Sequence, residues 1–170
     1  MLLRTTVILF LTIVMAYSQT EVDNAAIYST KKGATLKSLI LSSAPSAQVT
    51  ESTSGDKTVF LCTWPNVTVK VTVDPHWDGG VQLVGMKGWI SRFPPEERDI
   101  PPVTLLLKQM DSTIDCFGCV ISPHYDPDGK AASLITSLAA KLDGYIFSHQ
   151  TFYNLEGEKI IGLPGDPLKL

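Results

Sequence analysis

Val67-Thr68-Val69-Lys70-Val71-Thr72-Val73 is the clearest strand pattern in the chain. Valine stands at every second position, with threonine or lysine between. In extended chain successive side chains point to opposite faces, so one face is apolar and the other solvated: a half-buried strand. Just upstream, Val49–Thr53 and Thr58–Thr63 flank Ser54-Gly55-Asp56, a hairpin signal, and Pro65 separates that hairpin from the valine strand. The middle of the chain is therefore strand-like.

Working toward the N-terminus, Ala25–Tyr28 reads as a first strand, followed by the turn-prone Thr30–Gly33. Thr35 caps a short helix carrying Leu36, Leu39 and Ile40, which Pro45 and a Ser/Thr-rich run interrupt. Toward the C-terminus, the loop Asp74–Gly80 leads to a strand at Val81–Val84 or Trp89–Ile90. Phe93–Pro102, with its prolines and charges, reads as an irregular surface connection. Pro101-Pro102 then open a helix over Val103–Met110. Ile114–Ser122 is mostly apolar, as a central strand covered on both faces would be. Asp126-Pro127-Asp128-Gly129 is a turn before the strongest helix, where Ala131, Leu134, Ile135, Leu138, Ala139 and Leu142 form one stripe and Gly144 suits the stop. Tyr145–Phe147 and Thr151–Gly162, centred on Glu156-Gly157, close the sheet. The expectation is a single α+β domain over residues 25–170, an antiparallel sheet with helices packed on one face.

Residues 1–18 read as a secretory signal peptide. Arg4 is the positive n-region, Val7–Ala16 the apolar h-region, and Ala16-Tyr17-Ser18 a small-x-small cleavage site. The apolar run is about 10 residues, short of the ~20 that span a bilayer, so the membrane is met only in transit. Residues 19–24 then form a flexible lead, and the mature protein is secreted or periplasmic. The net charge of −3 becomes −4 when Arg4 leaves with the signal. Basic residues such as Lys57, Lys70, Lys87 and Lys108 are scattered, which excludes nucleic acid as a partner. Three cysteines, Cys62, Cys116 and Cys119, are too few for a disulfide scaffold.

Several stretches carry residues with possible chemistry. Cys116-Phe117-Gly118-Cys119 has thiol–disulfide spacing, but it lies in an apolar strand, where two cysteines three apart point to opposite faces. With His124 it gives three positions of a zinc knuckle; the expected fourth is Gly129, leaving Asp126 or Asp128 as oxygen ligands. In Asp74-Pro75-His76-Trp77-Asp78, the alternate residues Asp74, His76 and Asp78 form an O/N/O set for a divalent metal, or else ordinary turn residues. A calcium loop placed with Gly129 at its sixth position puts Ile135 where the bidentate glutamate is needed, which excludes an EF-hand. No nucleophile elbow is present. Asn66-Val67-Thr68 is a glycosylation sequon in a host that glycosylates.

Two stretches together carry a resemblance. The first is Trp77-Asp78 followed by Leu83-Val84-Gly85-Met86-Lys87-Gly88-Trp89-Ile90. The second is Gly118-Cys119-Val120-Ile121-Ser122-Pro123 with Asp126, Asp128-Gly129, Leu142-Asp143-Gly144-Tyr145-Ile146-Phe147 and Leu155-Glu156-Gly157. The chain resembles, over roughly its last hundred residues, a group of small uncharacterised bacterial α+β proteins. The resemblance implies an α+β fold and brings no activity, cofactor or site residue. It includes Cys119 and not Cys116.

The functional expectation is a non-catalytic binding or interaction domain for a protein or small ligand, without metal or cofactor. Trp77 and His76 are its candidate contact residues, because an indole in a polar turn past the best strand packs locally or meets a partner. The alternative is a metal-dependent or thiol-based enzyme using Cys116, Cys119 and His124, or the loop of Asp74, His76 and Asp78.

Overall fold

The valine repeat is a strand in the middle of a wide sheet. A computed structural model describes residues 23–32, 36–123 and 128–163. Its strands are β1 (Asp23–Ser29), β2 (Gln48–Ser54), β3 (Lys57–Thr63), β4 (Thr68–Val73), β5 (Asp115–Ser122), β6 (Tyr145–Ser148), β7 (Thr151–Tyr153) and β8 (Lys159–Gly162). The helices among the described residues are α1 (Leu36–Ser43), α2 (Gly79–Ile90), α3 (Pro95–Arg98), α4 (Pro101–Asp111) and α5 (Lys130–Lys141). The strand order is β2-β3-β4-β5-β1-β6-β7-β8, and every pairing is antiparallel. The chain is an α+β domain, as its patterns require. The signal segment lies outside the described residues, and β1 begins at Asp23, inside the stretch that reads as a lead.

The period of two explains the core. On one face Ala25 and Ile27 of β1 join Phe60, Cys62, Val69, Val71, Phe117, Cys119 and Ile121. Leu36 and Ile40 of α1 cover them together with the whole α5 stripe, from Ala131 to Leu142. On the other face Tyr28 of β1 joins Tyr145, Phe152 and Ile161 beneath Leu83 and Ile90 of α2 and Val103, Leu106 and Met110 of α4. Helices therefore pack on both faces of the sheet, not on one. The physical reason is that β1, β6 and β7 are apolar at odd and even positions alike, and each face must be covered. Beyond this second helical layer, the same face at β2–β4 presents Thr50, Ser52, Leu61 and Lys70 to solvent.

Gly144 locks α5 to the sheet. A Cβ built there would lie 2.2 Å from the carbonyl oxygen of Tyr28, so the chain returns from helix to β6 in direct contact with the β1 backbone. Two sequence expectations change. The region Val81–Val84 and Trp89–Ile90 is one helix, α2, instead of a strand. Phe93–Pro102 contains the short helix α3, and its last two prolines already belong to the first turn of α4, where a missing N–H costs nothing. Among the described residues, no helix is long and apolar enough to cross a membrane.

Candidate functional site

The chain leaves the sheet at Val73 and turns through Asp74–Asp78 into α2. Asp74 closes the turn by accepting the His76 backbone N–H at 3.0 Å, and its other oxygen pairs with Lys57 Nζ at 2.8 Å. The Lys57 ammonium, and then the His76 N–H, hold the Asp74 carboxyl below its ordinary range. His76 is exposed, with Nε2 3.1 Å from Asp56 Oδ2. Asp78 is the N-cap of α2 and accepts the Gly80 N–H at 3.0 Å. The three side chains thus serve separate partners: Asp74 holds Lys57 and the His76 N–H, His76 meets Asp56, and Asp78 holds the Gly80 N–H. Among the described residues, no group of three His, Cys, Asp or Glu side chains could hold a metal ion. His124 and Asp126 lie outside the described residues, and Asp128 accepts the Asn66 amide at 3.2 Å.

Trp77 is half-buried and packs as the outermost ring of an aromatic cluster. Its ring stands edge-on to Tyr28 at 6.2 Å and 62°. Trp77 Nε1–H donates to Gln82 Oε1 at 2.9 Å, and Gln82 Nε2 donates to the Tyr28 hydroxyl at 2.7 Å. Tyr28 stacks on Tyr145 at 5.2 Å, and the Tyr145 hydroxyl lies 3.3 Å from Thr113 Oγ1. The indole also lies over Gly79, where a Cβ would meet the ring at 2.3 Å. This packing fixes the direction in which α2 leaves the turn.

Cys116 sits opposite Tyr28 in the β1–β5 register. Burial pushes the Cys116 thiol up to about 12 and that of Cys62 up to about 11. Burial likewise raises Cys119, with smaller contributions from Cys116 and Cys62, and it raises the Tyr28 and Tyr145 phenols. Cys116 faces the α2/α4 core and Cys119 the α1/α5 core. The β5 register runs through Gly118 without a bulge against both neighbours, so nothing turns the two sulfurs toward each other. The cysteines are free thiols, held neutral at physiological pH.

The feature missed by sequence reading is the outer face of α2. Leu83 and Ile90 are buried, yet Val81 and Val84 on the same helix are 85% and 70% exposed. At Gly85 and Gly88 an added Cβ would meet nothing within 4 Å. A groove of about 580 Å³ runs along one side of the helix, lined by Trp77, Leu83, Val84, Met110 and Ile114. Charges of both signs, Lys32, Asp78 and the Lys87–Asp111 ion pair, edge it. A smaller groove of about 290 Å³, with Met86, Trp89 and Phe147 in its walls, runs along the other side. Helix α2 is therefore an apolar ridge between two channels, and Trp77 stands at its start.

A further cleft of about 520 Å³ opens between α4 and the β7–β8 turn. Comparison with protein-family models, with curated proteins and with solved structures finds no match to this chain.

Proposed function

We propose that this chain is an exported, non-catalytic binding module that takes an apolar segment of a partner protein along the outer face of α2, beside Trp77. One observation carries the reading: α2 is apolar on both sides, with Val81 and Val84 in solvent while Leu83 and Ile90 are buried. A surface helix ordinarily turns a polar face to water, and an apolar one marks a covered surface. The grooves on either side give a partner purchase, and Lys32 and Lys87 alternating with Asp78 and Asp111 suit a protein segment better than a phosphate-rich surface. Export rests on the leader-like residues 1–18.

The thiol alternative requires an accessible thiolate, and burial opposes one at each cysteine. The loop-metal alternative requires Asp74, His76 and Asp78 to abandon their present partners.

The test is site-specific photo-cross-linking in the native compartment, with the reactive group placed at Val84 or, as a control, at the exposed Thr50. The reading expects one discrete product from Val84 alone, suppressed by excess unlabelled wild-type protein but not by the Val81→Asp/Val84→Asp variant. Identical products from Thr50 and Val84, or suppression by both competitors alike, would overturn it.

A further inference from the structure

The cleft between α4 and the β7–β8 turn is separate from the α2 face and shares no lining residue with the two grooves there. Its volume, about 520 Å³, lies in the range of small-molecule sites. Its walls are apolar: Pro101, Pro102 and Leu105 from α4, Leu155 and Ile160 from the hairpin, and Tyr145. Leu105 is 59% exposed, a large side chain in water beside a concave apolar surface.

The charged groups lining the cleft are Glu156, Glu158 and Lys159. The Lys159 ammonium donates to the Leu163 carbonyl at 3.1 Å, and among the described residues it forms no ion pair with either carboxylate. The mouth is therefore net acidic above an apolar floor.

The turn carrying the two glutamates is preorganised. Asn154 Oδ1 accepts the backbone N–H groups of Glu156 and Glu158 at 3.0 and 2.8 Å, and its amide donates to Glu158 Oε2 at 3.0 Å. Gly157, at φ +77°, supplies the left-handed residue that the turn needs. A fixed rim loses little ordering entropy when a ligand arrives.

We propose that this cleft binds an organic cation: a ligand with an apolar body that lies along Leu105, Leu155 and Ile160 and a protonated amine that meets Glu156 and Glu158. Charge complementarity decides between cation and anion, since an anionic head would face the two carboxylates at the rim.

The test is an NMR titration of the ¹⁵N-labelled protein at pH 7 with 4-phenylbutylamine and, in parallel, 4-phenylbutyrate, which share the apolar body and differ in head charge. The amine is expected to shift the amides of Leu105, Leu155 and Ile160 saturably, and the carboxylate to bind roughly tenfold more weakly or not at all. Glu156→Gln removes one carboxylate without touching the turn's hydrogen bonds, and is expected to weaken the amine about two- to fivefold, as for one exposed ion pair. Leu105→Gln, at an exposed position that leaves the fold intact, is expected to weaken both probes. Equal binding of the two probes would overturn the proposal. So would an amine titration that fails to move these amides, or an affinity unchanged in Glu156→Gln.

Discussion

Replacing Leu138 with alanine removes three buried carbons from the centre of α5. The side chain is 0% exposed and belongs to the core that α1 and α5 build on β1, β4, β5 and β6. At about 0.8 kcal/mol per buried methylene, the lost transfer energy alone is roughly 2.4 kcal/mol. The cavity adds to this, because β1 is hydrogen-bonded between β5 and β6 and cannot close in on the space. The total expected loss is about 3–5 kcal/mol, the upper part of the range for Leu→Ala. Alanine is the better helix former, so no part of this loss comes from helix propensity. In urea denaturation followed by far-UV circular dichroism, with m of about 2 kcal/mol/M, the midpoint is expected to fall by about 1.5–2.5 M at constant m. A loss below about 0.5 kcal/mol would mean that the α5 stripe does not sit on the sheet.

Gly144→Ala is expected to cost about 3 kcal/mol or more, because the new methyl meets the Tyr28 backbone, which cannot rotate away; a stability within 1 kcal/mol of wild type would contradict that contact. Gly79→Ala is expected to displace the Trp77 indole, read as a red-shifted tryptophan emission relative to wild type, while α2 keeps its helicity. Stability is expected to fall in alkali. Keeping the Cys62 and Cys116 thiols neutral contributes stability that is fully present below about pH 8.5, where an unfolded thiol titrates. That contribution is lost as pH rises toward the folded values of about 11 and about 12. A urea midpoint at pH 10 equal to that at pH 8 would contradict this burial. Val81→Asp/Val84→Asp is expected to unfold within about 0.5 kcal/mol of wild type, since both side chains already stand in water.

The sheet was legible wherever one physical pattern acted alone. The valine repeat and the α5 stripe each carry a single unambiguous period, and Ser54-Gly55-Asp56 is a local turn signal. Helix α2 was not legible, because Gly79, Gly80, Gly85 and Gly88 lower its propensity and its apolar residues surround the axis. The signal that favours a helix was present in Asp78 as an N-cap with Lys87 in the last turn. Placement of helices on both faces was also hidden, since it depends on β1 lying between β5 and β6, strands far away in sequence. Of the candidate site, the Trp77 turn could be singled out as an aromatic in a polar loop. Its bond to Gln82, and the cleft between α4 and the β7–β8 turn, depend on tertiary contacts that local spacing does not encode.

The proposed binding of a partner by the outer face of α2 is checked by the affinity of the partner identified by cross-linking for wild type and for Val81→Asp/Val84→Asp, measured by titration calorimetry. The variant is expected to bind at least about tenfold more weakly, roughly 1.4 kcal/mol, with an unchanged unfolding midpoint. Equal affinities would contradict it.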